Sequence, residues 1–208
     1  MTPAHIKKNT VHLAVGRKGT GKSTLATTLA KGARRLIILD PQGEYDIGVR
    51  VNSFSQFSDM LLRYRFSEDI KIRYFPQDKL DIKLIFAEVC NAVYDFSDVT
   101  FLIEELGYFM SATSFPATFA RLVMGSRHQR INIIGVTQRA TKIPRDLRSQ
   151  ADAVYTFQQV EPLDIKYISE FMDLKNAARV KSLTDHHFIE WLPDGSTTVK
   201  KINLPKSL

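Results

Sequence analysis

Cysteine is nearly absent: Cys90 stands alone in 208 residues, so no disulfide can form within the chain. Val89 and Val93 place it on an apolar helical face, as a small core residue, and a single thiol fits a reducing compartment. No Cys/His group has zinc spacing. No apolar run is long enough to span a bilayer, and MTPAHIKKNT lacks the apolar stretch of a signal peptide. We therefore expect no direct membrane insertion; any membrane association would pass through a partner. Internal repeats, low-complexity tracts and Pro/Gly/Ser-rich linkers are missing too. A single domain over residues 1–208 is expected, with a core at about 11–158 and C-terminal helices and a hairpin at about 162–204. Acid is in deficit, 22 Asp and Glu against 29 Lys and Arg, for a net charge of +7. That surplus fits a polyanionic partner and, equally, an ordinary basic enzyme.

What is present alternates. VHLAVG (Val11 to Gly16), RLIILD (Arg35 to Asp40), IKIRYF (Ile70 to Phe75), VTFLIEEL (Val99 to Leu106), INIIGVTQ (Ile131 to Gln138) and ADAVYTFQ (Ala151 to Gln158) read as strands. Helical spacing marks Leu25 to Ala30, Phe54 to Tyr64, Ile82 to Val93, Phe115 to Val123, the surroundings of Leu163 to Phe171, and Ala177 to Leu183. HFIEWL, PDG and STTVKKINL predict a closing hairpin. Continuous apolar strands alternating with helices imply an α/β fold, a mostly parallel sheet covered on both faces.

Gly16, Gly21, Lys22 and Ser23 fit G-x-x-x-x-G-K-[ST], between a strand and a helix. Such a loop, Gly16, Arg17, Lys18, Gly19, Thr20, Gly21, Lys22, Ser23 and Thr24, wraps its N–H groups around phosphate oxygens at a helix N-terminus. Lys22 is expected on the β- and γ-phosphates, Ser23 on Mg²⁺, and Lys18 in solvent. A nucleoside triphosphate follows from the loop; what is done with it does not.

FLIEEL adds two acids at a strand end, Glu104 and Glu105. The usual order is Asp then Glu: the Asp holds the metal's hydration shell and the Glu polarises the attacking water. Here Glu104 stands in the metal position, one methylene longer, and Glu105 keeps the water-activating one. A small-molecule kinase must exclude water, so the pair points to hydrolysis.

Between Phe115 and Ala151 lie Arg121, Arg127, Arg130, Arg139, Lys142, Arg145 and Arg148, against one acid, Asp146. SRHQRINIIGVTQRATKIPRDLRSQADAVYTF resembles the sensor region of the HerA/FtsK superfamily of P-loop ATPases: an Arg, a short gap, an apolar strand, Thr-Gln-Arg, then a polar descent into the next strand. DPQGEYD similarly resembles the DPxGEY stretch of the HerA branch, and the resemblance runs from about Val11 to Phe157. Members are mostly ring-forming motors that move or package double-stranded DNA, among them chromosome pumps, conjugation ATPases and the genome-packaging ATPases of tailless, membrane-containing viruses.

The resemblance implies a RecA-like (ASCE) P-loop NTPase fold, ATP and Mg²⁺ as cofactors, and a homo-oligomeric ring, a hexamer. Gln138 matches the polar sensor of the γ-phosphate, and Arg127 the arginine that reaches a neighbouring subunit's site, with Arg130 the alternative. Arg139 is a relay or DNA contact, and Lys142, Arg145 and Arg148 are expected on the duplex backbone. Glu104 departs from the usual Asp, and Ala140 stands where many relatives have Pro. No membrane anchor, N-terminal barrel or winged helix is evident. A bare motor of this kind looks most like a viral packaging ATPase, in the host cytoplasm or the virion, with a capsid, portal or membrane protein as further partner. An assembly ATPase acting on protein, as in filamentous-phage morphogenesis, and a small-molecule or nucleotide kinase are the alternatives.

Smaller signals read as structure. His186 and His187 are expected on opposite sides of the hairpin strand, and Trp191 against the sheet edge. The loop GYFMSATSFP (Gly107 to Pro116), with exposed aromatics and hydroxyls, is either a pore or subunit contact or a plain connection.

Overall fold

The apolar runs become neighbours in one sheet. The computed structural model describes residues 9–77 and 81–202; the chain ends at 1–8 and 203–208, including the last residues of the expected hairpin, lie outside them. The strands are β1 (Val11–Val15), β2 (Arg35–Leu39), β3 (Val49–Val51), β4 (Ile70–Tyr74), β5 (Val99–Ile103), β6 (Ile131–Thr137), β7 (Ala153–Thr156), β8 (His187–Trp191) and β9 (Thr197–Lys201). Their order across the sheet is β3-β4-β2-β5-β6-β1-β7-β8-β9, parallel as far as β7 and antiparallel through β8 and β9. The expected α/β class and C-terminal hairpin are both present. β6 separates the phosphate-loop strand β1 from the acid-bearing strand β5.

Seven helices pack on this sheet: α1 (Lys22–Ala30), α2 (Phe54–Arg63), α3 (Ile82–Phe96), α4 (Ala117–Gln129), α5 (Arg145–Ser149), α6 (Pro162–Ile168) and α7 (Leu174–Arg179), among the described residues. They divide unequally. The larger apolar cluster draws on α2 to α7, whereas α1 is the only helix in the smaller one. Ser53 starts α2 by accepting from the Gln56 amide, and Asp81 starts α3 by accepting from that of Lys83. α3 then buries Ile85, Phe86, Val89, Cys90, Val93 and Phe96. Cys90 is the core residue expected, its thiol held well above the usual range by burial.

The reading of GYFMSATSFP as a loop of exposed aromatics needs correction. Phe109 is buried and stacks on Phe86 at 4.2 Å, Phe115 packs against Phe119, and only Tyr108 is exposed. His186 also differs: it precedes β8, in a left-handed conformation (φ 66°), and its amide donates to the Thr20 carbonyl of the phosphate loop. Trp191 packs edge-on against Phe171, as a sheet-edge residue should.

Candidate active site

The phosphate loop leaves β1 and is held on two sides. The Gly16 amide donates to the Thr137 carbonyl of β6, and that of Arg17 to the Gln158 carbonyl beyond β7. Gly21 caps α1 at φ 105°, with His186 and Ile202 behind it; a side chain there would be strained and crowded. Thr20 and Lys22 are buried, and both donate to the Arg17 carbonyl at 2.8 Å, whereas Arg17, Lys18 and Gly19 are exposed. Burial pulls the Lys22 ammonium below the usual lysine range, and the carboxylates of Glu104, Glu105 and Glu44 oppose that. One cation thus faces three acids at a helix N-terminus.

Glu104 and Glu105 follow β5 directly, both buried. Burial raises the Glu104 carboxyl to about 7, with Tyr45 and Lys22 pulling the other way. Its Oε2 accepts from the Tyr45 hydroxyl at 2.5 Å. Tyr45 is a site residue that sequence reasoning missed. Its phenol is kept well above its usual range by burial and by Glu104, so it remains a donor.

Glu105 sits in a left-handed conformation (φ 53°, ψ 59°), a strained position for a non-glycine residue. Its Oε1 accepts from the Thr137 hydroxyl (2.9 Å) and the Gln138 amide (3.3 Å), while its buried Oε2 has no partner. The strain is supported from below. Leu106 drops into the space over Gly135 of β6, where a Cβ would lie 2.2 Å from Leu106 Cδ1. Glycine at 135 therefore sets the pose of the acid two strand positions away.

This set fits a nucleotide-bound Mg²⁺. Among the described residues no cluster of three or more His, Cys, Asp or Glu side chains could hold a metal by itself. A site of one hydroxyl (Ser23), one carboxylate (Glu104) and phosphate oxygens is the kind Mg²⁺ takes. Bound there, the ion would neutralise charge on the β- and γ-phosphate oxygens. The unpartnered Oε2 of Glu105 is an acceptor open to a further donor.

The other predicted residues separate into two groups. Gln138 follows β6 beside Glu105, its carbonyl bonded by buried Gln159. Arg127 and Arg130 lie at the opposite ends of the strands, before β6 begins. β6 is seven residues long, so roughly 20 Å of strand separates them from their own phosphate loop. Arg127 is exposed, and its side chain makes no ion pair or hydrogen bond among the described residues. Arg130 is left-handed (φ 54°) and lies 3.7 Å from Asp98.

In the basic segment, Arg139 is bonded at 2.6 Å to the fully buried Asp164, which also accepts from the Thr141 amide and hydroxyl. Arg145 pairs with Glu170 through two bonds, and Arg148 is mostly covered, stacked over Tyr167 and Phe171. Lys142 remains exposed, without an ion pair.

No family model matches the sequence, and no curated protein does. Solved structures do match. The genome packaging NTPase B204 from Sulfolobus turreted icosahedral virus 2, in complex with AMPPCP, superposes with a TM-score of 0.75 at 22% identity, over 95% of this chain and 99% of that one. The chain has a P-loop ATPase fold. The pCW3 conjugation coupling protein TcpA with ATPγS (TM-score 0.61, 15% identity, 95% of this chain, 61% of that one) and VirB4 of Thermoanaerobacter pseudethanolicus (0.63, 11%, 98% and 92%) share it. Among the described residues no helix is long and apolar enough to cross a membrane.

Proposed function

We propose that this chain hydrolyses ATP, with Mg²⁺, to move double-stranded DNA, and that it packages a viral genome as a hexameric ring, in the host cytoplasm or on the virion, docked to a capsid or portal protein. The single observation carrying hydrolysis is Glu105: one carboxylate oxygen is fixed by Thr137 and Gln138, and the other is buried and free to accept from water. Lys22 and the loop amides bind the phosphates, Ser23 and Glu104 hold the metal, and Gln138 reads the γ-phosphate. Among the described residues no arginine free of partners stands beside these groups, and Arg127, one strand length away, supplies it from a neighbouring copy. DNA handling is supported by the likeness to B204 and to a conjugation coupling protein.

Steady-state ATPase with and without long duplex DNA tests this. Duplex should stimulate turnover, and inactive Arg127→Ala and Lys22→Ala subunits should restore activity when mixed. A monomer at high concentration that binds no DNA at low salt overturns the motor. A second reading, an assembly ATPase acting on protein, draws on the basic segment: Arg139, Arg145 and Arg148 are engaged within the chain, leaving Lys142 as the free cation of the four. That reading expects turnover indifferent to DNA.

A further inference from the structure

The metal position holds a glutamate where the usual residue is shorter, and the surroundings show what its length does. Glu104 reaches away from its strand end to the hydroxyl of Tyr45, which belongs to the turn after β2. That turn is tightly built. Asp40, fully buried at the end of β2, accepts from the amides of Glu44 (2.9 Å) and Tyr45 (3.1 Å), and Gly43 bends the chain at φ 73°. The Tyr45 ring is buried in the apolar cluster that includes Leu25, Ala26 and Leu102. Its hydroxyl is therefore held by the turn at its backbone and by the apolar packing of its ring.

A phenol has one proton to give and two lone pairs to offer. Here the proton goes to Glu104 Oε2. Glu104 has one oxygen tied, which leaves Oε1 for the cation or its waters. We propose that Tyr45 is a positioning residue of the metal site, holding one oxygen of Glu104, and that the extra methylene of Glu104 exists to reach it. DPQGEY is thus a scaffold for one hydroxyl: Asp40 pins the turn, Gly43 bends it, and Tyr45 delivers the contact. This rests on the reading of Ser23 and Glu104 as the metal's protein ligands.

The test measures metal and nucleotide separately, with Mn²⁺ in place of Mg²⁺. Bound Mn²⁺ is counted by electron paramagnetic resonance with saturating AMPPCP, and nucleotide affinity is measured in EDTA. Wild type should bind Mn²⁺ only with nucleotide; if it binds none, the ligand assignment itself fails. Given wild-type binding, Tyr45→Phe should weaken Mn²⁺ roughly tenfold or more. Metal-free AMPPCP affinity should stay within about twofold, since no phosphate contact is lost. Glu104→Asp keeps the charge but withdraws it from Tyr45, so it should lose a similar factor, and the double variant should be no worse than either single one. Tyr45→Phe binding Mn²⁺ like wild type, Glu104→Asp binding it as well or better, or losses that multiply in the double variant would each overturn the positioning role. A fold defect in Tyr45→Phe would show in its metal-free AMPPCP affinity and melting curve, and Glu104→Asp then decides alone.

Discussion

The two ends of the parallel strands are built in opposite ways. At the C-terminal ends, Thr20, Lys22, Asp40, Glu104 and Glu105 are all buried and held by short bonds to neighbouring strands and turns. At the N-terminal ends, Arg127 and Arg130 are exposed on the last turn and cap of α4, and Arg130 has only a long ion pair to Asp98. Both ends carry strain: four of the five non-glycine residues at positive φ are Glu105 and His186 at the first and Ser97 and Arg130 at the second, with Asp98 beside them. Burying charge is costly, and a protein tolerates it where groups must be preorganised for a reaction. On the function proposed above, the contrast is between a phosphate and metal site whose own arginines are engaged and an edge whose arginines have no phosphate site.

The largest effect should come from breaking that complementarity. Arg127→Ala should lower kcat on the order of 10³-fold, with ATP binding little changed, and stopped-flow hydrolysis alongside nucleotide titration separates the two. If the edges do not meet in an assembly, the variant will turn over like wild type. Next comes Glu105→Gln, which keeps the acceptor oxygen for Thr137 and Gln138 but is far weaker toward a water proton. Hydrolysis should fall about 10²-fold or more, with bound ATP retained, so trapped nucleotide should be recoverable from the variant.

A smaller effect concerns stability at the buried edge. Burial raises Glu104 to about 7 from the 4.5 of an ordinary glutamate. Between those values the unfolded chain has released a proton that the native state retains, so the carboxyl's contribution is intact below about pH 4.5 and is lost as pH rises through about 7. Glu104→Gln cannot ionise. Relative to wild type it should gain on the order of 3 kcal/mol between pH 4 and pH 8, read from denaturant unfolding without nucleotide. A difference independent of pH would mean that Glu104 is already ionised in the folded chain.

The sheet was legible because its strands are continuous apolar runs buried on both faces, and β4 because its alternation matches one covered side. β3 and α5, of three and five residues, are too short to show a period. The phosphate loop and the paired acids were legible because their chemistry is local in sequence. Tyr45 was not: it becomes part of the site through Glu104, 59 residues away, and nothing in DPQGEYD announces that contact. The basic segment misled in a similar way. Counted along the chain it holds a single acid, but Asp164 and Glu170, from beyond it, neutralise Arg139 and Arg145. Charge read along a chain is not charge read in space.

The smallest expected effect separates the two arginines. Arg130 is 64% exposed and 3.7 Å from Asp98, a geometry worth under about 1 kcal/mol. Asp98 has φ 42°, and asparagine tolerates that region as aspartate does, so Asp98→Asn removes the charge without new backbone strain. It should shift stability by less than about 1 kcal/mol, and less still in high salt. Its effect on turnover decides the assignment. If Arg127 serves the neighbouring site, freeing Arg130 leaves kcat within about twofold, and Arg130→Ala does the same. If Arg130 serves it, Asp98→Asn changes kcat by releasing the guanidinium from its partner, and Arg130→Ala reproduces the large loss expected of Arg127→Ala. Because Asp98 is the partner of Arg130 and not of Arg127, the aspartate variant reports which arginine crosses to the next copy while leaving both in place.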